Sequence, residues 1–218
     1  MNKKSGFTLV ELLVVMAIIA MLMAILIPAL SRSRRQAQAV ICRSNLKQWG
    51  YIFGMYTNEN NEHFFGGSGE GWWNDWIEIL RPKYVKRGGI TCCPTATQPA
   101  DKGGSGIFTA WKDENGDCGS YALNIWVCDI PQEEGFAAEK DRYWRINNIE
   151  SGGSNIPIFL DSLTISASPD NTSVPPKYIG ECPPDFDPET APLKEQMKPF
   201  CIGRHGRGTT NCLSLIHI

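Results

Sequence analysis

Gly6-Phe7-Thr8-Leu9-Val10-Glu11-Leu12-Leu13-Val14-Val15, continued by Met16 to Ile27, is the stretch that decides the architecture. From Phe7 to Ile27 only Thr8 and Glu11 interrupt the apolar run. These 21 residues, at about 1.5 Å each in a helix, span about 31 Å, close to the hydrocarbon thickness of a bilayer. One membrane pass is therefore expected, over residues 7–30.

The residues before this run are as informative as the run itself. A secretory signal peptide places its small-residue cleavage site after the apolar segment. Here the small residue, Gly6, comes first, directly after Met1-Asn2-Lys3-Lys4-Ser5. Cutting behind it would remove residues 1–6 as a leader and leave the hydrophobic helix on the mature chain. Glu11 then stands inside an apolar helix, where a carboxylate costs a few kcal/mol at the bilayer centre and is normally retained for a function. The simpler alternative is a glutamate near the interface that snorkels to water.

Beyond Ile27, Pro28 should kink or loosen the helix. The pattern then turns amphipathic, with Ala29, Leu30, Ala37, Val40, Ile41, Leu46, Trp49, Ile52 and Phe53 at helical spacings. A continuation of the helix over 31–60 is expected, burying that stripe against a head at 61–212. Two β-prone runs, Ser120 to Val127 and Ile156 to Leu160, lie between stretches rich in Gly, Pro, Asn and Asp, notably 65–71, 95–106 and 166–184. The expected class is α+β: a long N-terminal helix, first transmembrane and then amphipathic, on a small antiparallel sheet with long loops.

The decapeptide Gly6 to Val15 resembles, position for position, the processing site of type IV prepilins and type II secretion pseudopilins. The resemblance implies cleavage between Gly6 and Phe7 by a membrane-embedded prepilin peptidase and N-methylation of the new Phe7 amine. It also implies assembly with other pilin or pseudopilin subunits, in which Glu11 pairs with the Phe7 amine of a neighbour and sets the axial register. The implied fold is pilin-like. The implied location is the inner (cytoplasmic) membrane, single-pass, with the head outside the cytoplasm and, on polymerisation, in a surface filament. Charge counting opposes this orientation, since Arg32, Arg34, Arg35, Arg43 and Lys47 outnumber Lys3 and Lys4. The motif is followed here because the peptidase requires a cytoplasmic leader.

Further pieces also fit a family. Cys42-Arg43-Ser44-Asn45-Leu46-Lys47-Gln48, Cys93-Pro94, Gly119 to Asn124, Phe159-Leu160-Asp161-Ser162 and Arg204-His205-Gly206 occur in this order. Together they resemble the prepilin-like family of Planctomycetes-type bacteria that ends in His, nine residues, then Asp-Gly or Asp-Trp. Counted from His205, that pair falls on Leu215 and Ile216, so the closing motif is missing. Residues 213–218, Leu-Ser-Leu-Ile-His-Ile, match a translated transposase adapter of sequencing libraries. They are expected to be an artefact that truncates the native C-terminus; a genuine terminal strand is the alternative.

Candidate chemistry in the head is sparse. A net charge of -2 and a pI near 5.9 give no long-range pull toward nucleic acid, which is not the expected partner. Eight cysteines suit an exported head, and no CxxC spacing points to zinc, so no metal is assigned. Cys42, on the helix face expected to meet the head, and Cys93, before a proline, are a possible disulfide. Asp113-Glu114-Asn115-Gly116-Asp117 offers oxygen ligands without EF-hand spacing; calcium is the one cofactor considered, against a solvated turn. His205 reads as a structural residue bonded to the missing acidic one. Trp76, Trp111, Trp126 and Trp144 read as core, and Trp72-Trp73 as exposed. No catalytic constellation is visible, so an enzyme is not expected. The functional expectation is a structural pilin or pseudopilin subunit. The alternative is a membrane-anchored surface module that binds a glycan or protein and never polymerises.

Overall fold

A computed structural model describes residues 7–66, 75–84, 89–104, 106–113, 115–129, 156–167, 200, 204–205 and 210–214. Contacts divide the chain into two units, Met1–Ala37 and Gln38–Ile218. Helix α1, Leu9–Glu59, runs through both and is continuous at Pro28. The proline lacks the N–H that would bond back along the helix, and the Ser31 hydroxyl donates to its carbonyl at 3.0 Å.

In the first unit the apolar side chains of α1 are exposed, Leu13 and Ile27 by 62% and 64%. Among the described residues α1 is the one helix long and apolar enough to cross a membrane. Exposure of this kind is unfavourable in water and natural in lipid, since apolar area costs about 25 cal/mol per Å² to hydrate.

The second unit buries α1 from Cys42 onward. Cys42, Asn45, Leu46, Trp49, Ile52, Phe53 and Thr57 line one face at spacings of three and four. The stripe expected from sequence is corrected here: Val40 and Ile41 are half exposed, at 57% and 50%, while Cys42 and Asn45 are inside. Hydropathy ranks the first pair above the second, but the angular position of each residue on the helix decides. After Glu59 the chain leaves the helix through Asn61 (φ 55) and Glu62 (φ 67), both left-handed.

Helix α2, Asp75–Tyr84, directs Trp76, Ile77, Leu80 and Tyr84 into the same core. Trp49 sits at its centre. Its ring lies 5.0 Å from Phe159, 5.2 Å from Tyr84 and 5.6 Å from Trp76, and its Nε1 donates to the Ile90 carbonyl at 3.0 Å. Trp76 and Trp111 are buried as expected, and their rings meet edge to face at 6.2 Å. Trp126 is half-buried; Trp72, Trp73 and Trp144 lie outside the described residues.

The described strands form two small sheets. In the first, β1 (Gln98–Pro99) runs parallel to β2 (Thr109–Lys112), and β2 pairs antiparallel with β3 (Cys118–Gly119). The second sheet has β4 (Tyr121–Asn124), β5 (Pro157–Asp161), β6 (Ser166–Ala167) and β7 (Cys212–Ser214) in the order β6-β4-β5-β7. Both β-prone runs read from the sequence form strands, and the expected antiparallel sheet is mixed. After β5 the chain reverses in a turn where Thr164 N–H donates to Ser162 Oγ at 3.2 Å. The reversal lays β6 along the free edge of β4, where the only available direction is parallel. The first run is also shorter than expected. It stops at Asn124, whose Oδ1 and carbonyl accept from the N–H groups of Trp126 and Val127 and turn the chain away.

Candidate functional site

At the start of α1 the described chain begins with Phe7, which is 72% exposed; Gly6 lies outside the described residues. Thr8 and Glu11 form a reciprocal capping box. The Thr8 N–H and hydroxyl donate to Glu11 Oε2 at 2.8 and 2.7 Å, and the Glu11 N–H donates to Thr8 Oγ1 at 3.3 Å. Helix N-termini leave N–H groups without partners, and a Thr followed three residues later by Glu satisfies two of them. The Thr-x-x-Glu spacing is legible in the sequence, but the capping role lies outside the expectation for Glu11.

In the second unit four side chains from distant parts of the sequence meet. Cys42 comes from α1, Cys93 from the segment after α2, Asp161 from the end of β5 and His205 from the segment before β7. One ligand atom from each lies within 4.8 Å of all the others. Cys42 Sγ is 3.5 and 3.7 Å from the two Asp161 oxygens, Cys93 Sγ is 3.1 Å from His205 Nε2, and His205 Nε2 is 3.8 Å from Asp161 Oδ2. Cys42, Cys93 and Asp161 are fully buried, and the His205 side chain is 5% exposed. Cys42 and Cys93, considered as a disulfide on sequence grounds, are thus neighbours, with no bond drawn between their sulfurs.

The surroundings hold this cluster in place. Arg204, completely buried, donates to Asp161 Oδ1 at 3.0 Å, to the Ser120 carbonyl at 2.8 Å and to the Ser162 carbonyl at 3.2 Å. The Tyr121 hydroxyl donates to Cys42 Sγ at 3.2 Å, Thr95 Oγ1 lies 3.1 Å from Cys93 Sγ, and the Cys93 N–H bonds Ser120 Oγ. Proton affinity is divided unequally between the thiols. A hydrogen bond from Cys42, helped by His205 and Thr95, pulls Cys93 down to about 4 against burial. Donation to Cys93, followed by burial and the nearby Asp161 charge, pushes Cys42 up. Burial also raises Asp161, although Arg204 pulls the other way.

His205 therefore differs from its sequence reading. It approaches an acidic residue already present, Asp161, together with a thiol. Of the segment considered for calcium, Asp113, Asn115, Gly116 and Asp117 are described and lie between β2 and β3. Asp117 N–H donates to Asp113 Oδ1 at 2.7 Å and Gly116 takes a φ of 86°. Arg81 bonds Asp117 and stands 4.0 Å from Asp113, so a side-chain cation already faces both carboxylates.

Comparison with known proteins bears on the N-terminal segment. Residues 1–27 match the family described as "Prokaryotic N-terminal methylation motif". Over 63 residues the chain is 41% identical to the type IV wide pilus major component PilA4 of Thermus thermophilus. The chain is thus similar to type IV prepilins. The match covers 29% of this chain and 48% of PilA4, so the chain spans about half the length of that relative. No solved structure matches it. The motif and the exposed apolar helix coincide, which indicates membrane anchoring. The buried cluster lies outside residues 1–27 and has no counterpart in the motif.

Proposed function

We propose that the chain is a structural subunit of a type IV pilus or of a type II secretion-type pseudopilus. Prepilin peptidase cuts it between Gly6 and Phe7, the Phe7 amine is methylated, and the mature α1 packs with the helices of other subunits. The methylation motif over residues 1–27, standing at the head of an exposed apolar helix, carries this reading. The relative PilA4 is a pilus component, which supports it. The subunit starts in the cytoplasmic membrane with the leader inside and the head outside. In the lipid Glu11 has two uses. Within one chain it closes the capping box with Thr8, and between chains it offers its carboxylate to a neighbour's Phe7 ammonium, where charge neutralisation in low dielectric selects one axial register.

The test is the mature N-terminus. Co-expressed with an active prepilin peptidase, the membrane-bound protein should yield an N-terminal peptide that begins at N-methylated Phe7. A chain that keeps Met1 to Gly6 beside a peptidase that processes a control prepilin would refute the proposal.

A further inference from the structure

Four potential ligands at one buried point are more than packing requires. A disulfide between Cys42 and Cys93 would use two of them and leave an imidazole nitrogen and a carboxylate oxygen turned toward a neutral sulfur pair. Their spacing suits a different bond. Around tetrahedral zinc, with Zn–S near 2.3 Å and Zn–N or Zn–O near 2.0–2.2 Å, ligand atoms stand about 3.3–3.8 Å apart. The separations here are 3.1 Å for Cys93 Sγ to His205 Nε2, 3.7 Å for Cys42 Sγ to Asp161 Oδ2 and 3.8 Å for His205 Nε2 to Asp161 Oδ2.

The geometry points to a structural zinc site in the head, with Cys42 Sγ, Cys93 Sγ, His205 Nε2 and Asp161 Oδ2 as its four ligands. The donor set of two thiolates, one imidazole and one carboxylate favours zinc over hard cations such as calcium. Four protein ligands close the coordination sphere, which is the arrangement of a structural rather than a catalytic ion.

Charge and the outer contacts of the thiolates and the carboxylate agree with this assignment, while His205 Nδ1 has no partner among the described residues. Buried charges must be balanced. Two thiolates and the Asp161 carboxylate are matched by the doubly charged ion and the buried Arg204 guanidinium, so the whole assembly is neutral. Arg204 bonds Asp161 Oδ1, and Oδ2 lies 3.7 Å from Cys42 Sγ and 3.8 Å from His205 Nε2 while also accepting from the Asn211 N–H at 3.4 Å. Tyr121 bonds Cys42 and Thr95 lies against Cys93, and such partners orient thiolate ligands and tune their basicity. The ion would tie α1, the segment after α2, β5 and the segment before β7 to one point. As a metal site it was not legible in the sequence, because the four residues lie in separate segments rather than in paired short spacings.

The experiment uses the full-length chain in detergent, purified under reducing conditions without chelator. Metal analysis should find one zinc per chain. Replacement by cobalt(II) should give the visible bands of a tetrahedral ion with thiolate-to-cobalt charge transfer in the near ultraviolet. His205→Ala and Cys93→Ser should weaken zinc binding by more than about 100-fold, beyond the 10- to 100-fold typical of losing an outer contact; Cys212→Ser, at an exposed thiol, should leave it unchanged. Reduced wild-type protein without cobalt bands would overturn the site, and so would a Cys42–Cys93 disulfide in protein alkylated directly from cells. Zinc retained at full affinity by His205→Ala would overturn the ligand set. The N-terminal peptide of the same preparation reports processing separately, so failure of the zinc site is distinguishable from failure of the pilus assignment.

Discussion

Thr8 and Glu11 bond reciprocally at the first turn of α1, with the Thr8 N–H 2.8 Å from Glu11 Oε2 and the Glu11 N–H 3.3 Å from Thr8 Oγ1. The same carboxylate is the one assigned to a neighbour's amine, and two substitutions separate the roles. Glu11→Gln keeps a capping acceptor and removes the charge; Glu11→Ala removes both. If the charge registers subunits, Gln and Ala should deplete the protein from sheared surface fibres alike, at least about tenfold, the factor that 1.4 kcal/mol brings. Peptidase cleavage should persist in both. If only the cap matters, worth about 0.5–2 kcal/mol at a helix end, Glu11→Gln should assemble like wild type. Quantitative immunoblots of fibre and membrane fractions read the difference.

Gly119 stands directly across from Trp111 in the β2–β3 pairing. A Cβ at Gly119 would collide with Trp111 Cζ2, so the absence of a side chain is what lets the indole lie over that strand. The ring is fixed further by donation from its Nε1 to the Tyr121 carbonyl at 2.8 Å. Gly119→Ala must displace the indole, and overpacking of this kind costs about 1–3 kcal/mol. Thermal unfolding followed by tryptophan fluorescence should show a lower midpoint, with Gly116→Ala as a comparison in the open turn, where the strain is one of φ rather than contact.

The Trp111–Gly119 contact also shows what a linear sequence conceals. The apolar run from Phe7 to Ile27, the helix beyond it and the strands at Tyr121–Asn124 and Pro157–Asp161 were legible because each is a local pattern of period or composition. The parallel placement of β6 was not, since it depends on where a turn after Ser162 returns the chain. Burial of Cys42 in place of Ile41 depends on helix phase against the sheet. The thiol cluster was half legible: Cys42 and Cys93 were paired as candidates, but Asp161 and His205 join them only in three dimensions. Leu213 of β7, in the segment expected to be a library adapter, pairs with Phe159 of β5 and is buried. Strand pairing runs through the backbone, which any sequence supplies, and a leucine suits an inward position.

Trp49 joins α1, α2 and β5 through its rings and its Ile90 bond. Trp49→Ala should destabilise the head by about 3–5 kcal/mol, the range for large aromatic truncations. Trp49→Phe is the more informative variant. It keeps much of the aromatic contact but leaves the Ile90 carbonyl without its donor, a loss of about 1–3 kcal/mol when the group stays buried. Denaturant unfolding of both variants should rank them in that order, with membrane insertion of α1 unchanged because residues 7–27 do not take part in this core.

Arg204 and Asp161 form a completely buried ion pair in which the guanidinium also bonds the Ser120 and Ser162 carbonyls. Removing one member of such a pair leaves the other charge without compensation and typically costs about 3–5 kcal/mol. Arg204→Met should therefore be strongly destabilising. Asp161→Asn should be costly for the same reason, because it leaves the guanidinium unbalanced. Arg204→Met combined with Asp161→Asn removes both charges, and the double variant should be more stable than the sum of the two single losses implies. The coupling free energy from denaturant titrations of the four proteins measures this, and strict additivity would show that the pair does not act as a unit. Measured with zinc and with chelator, the cycle should give different couplings, because the ion and Arg204 share the Asp161 carboxylate through its two oxygens.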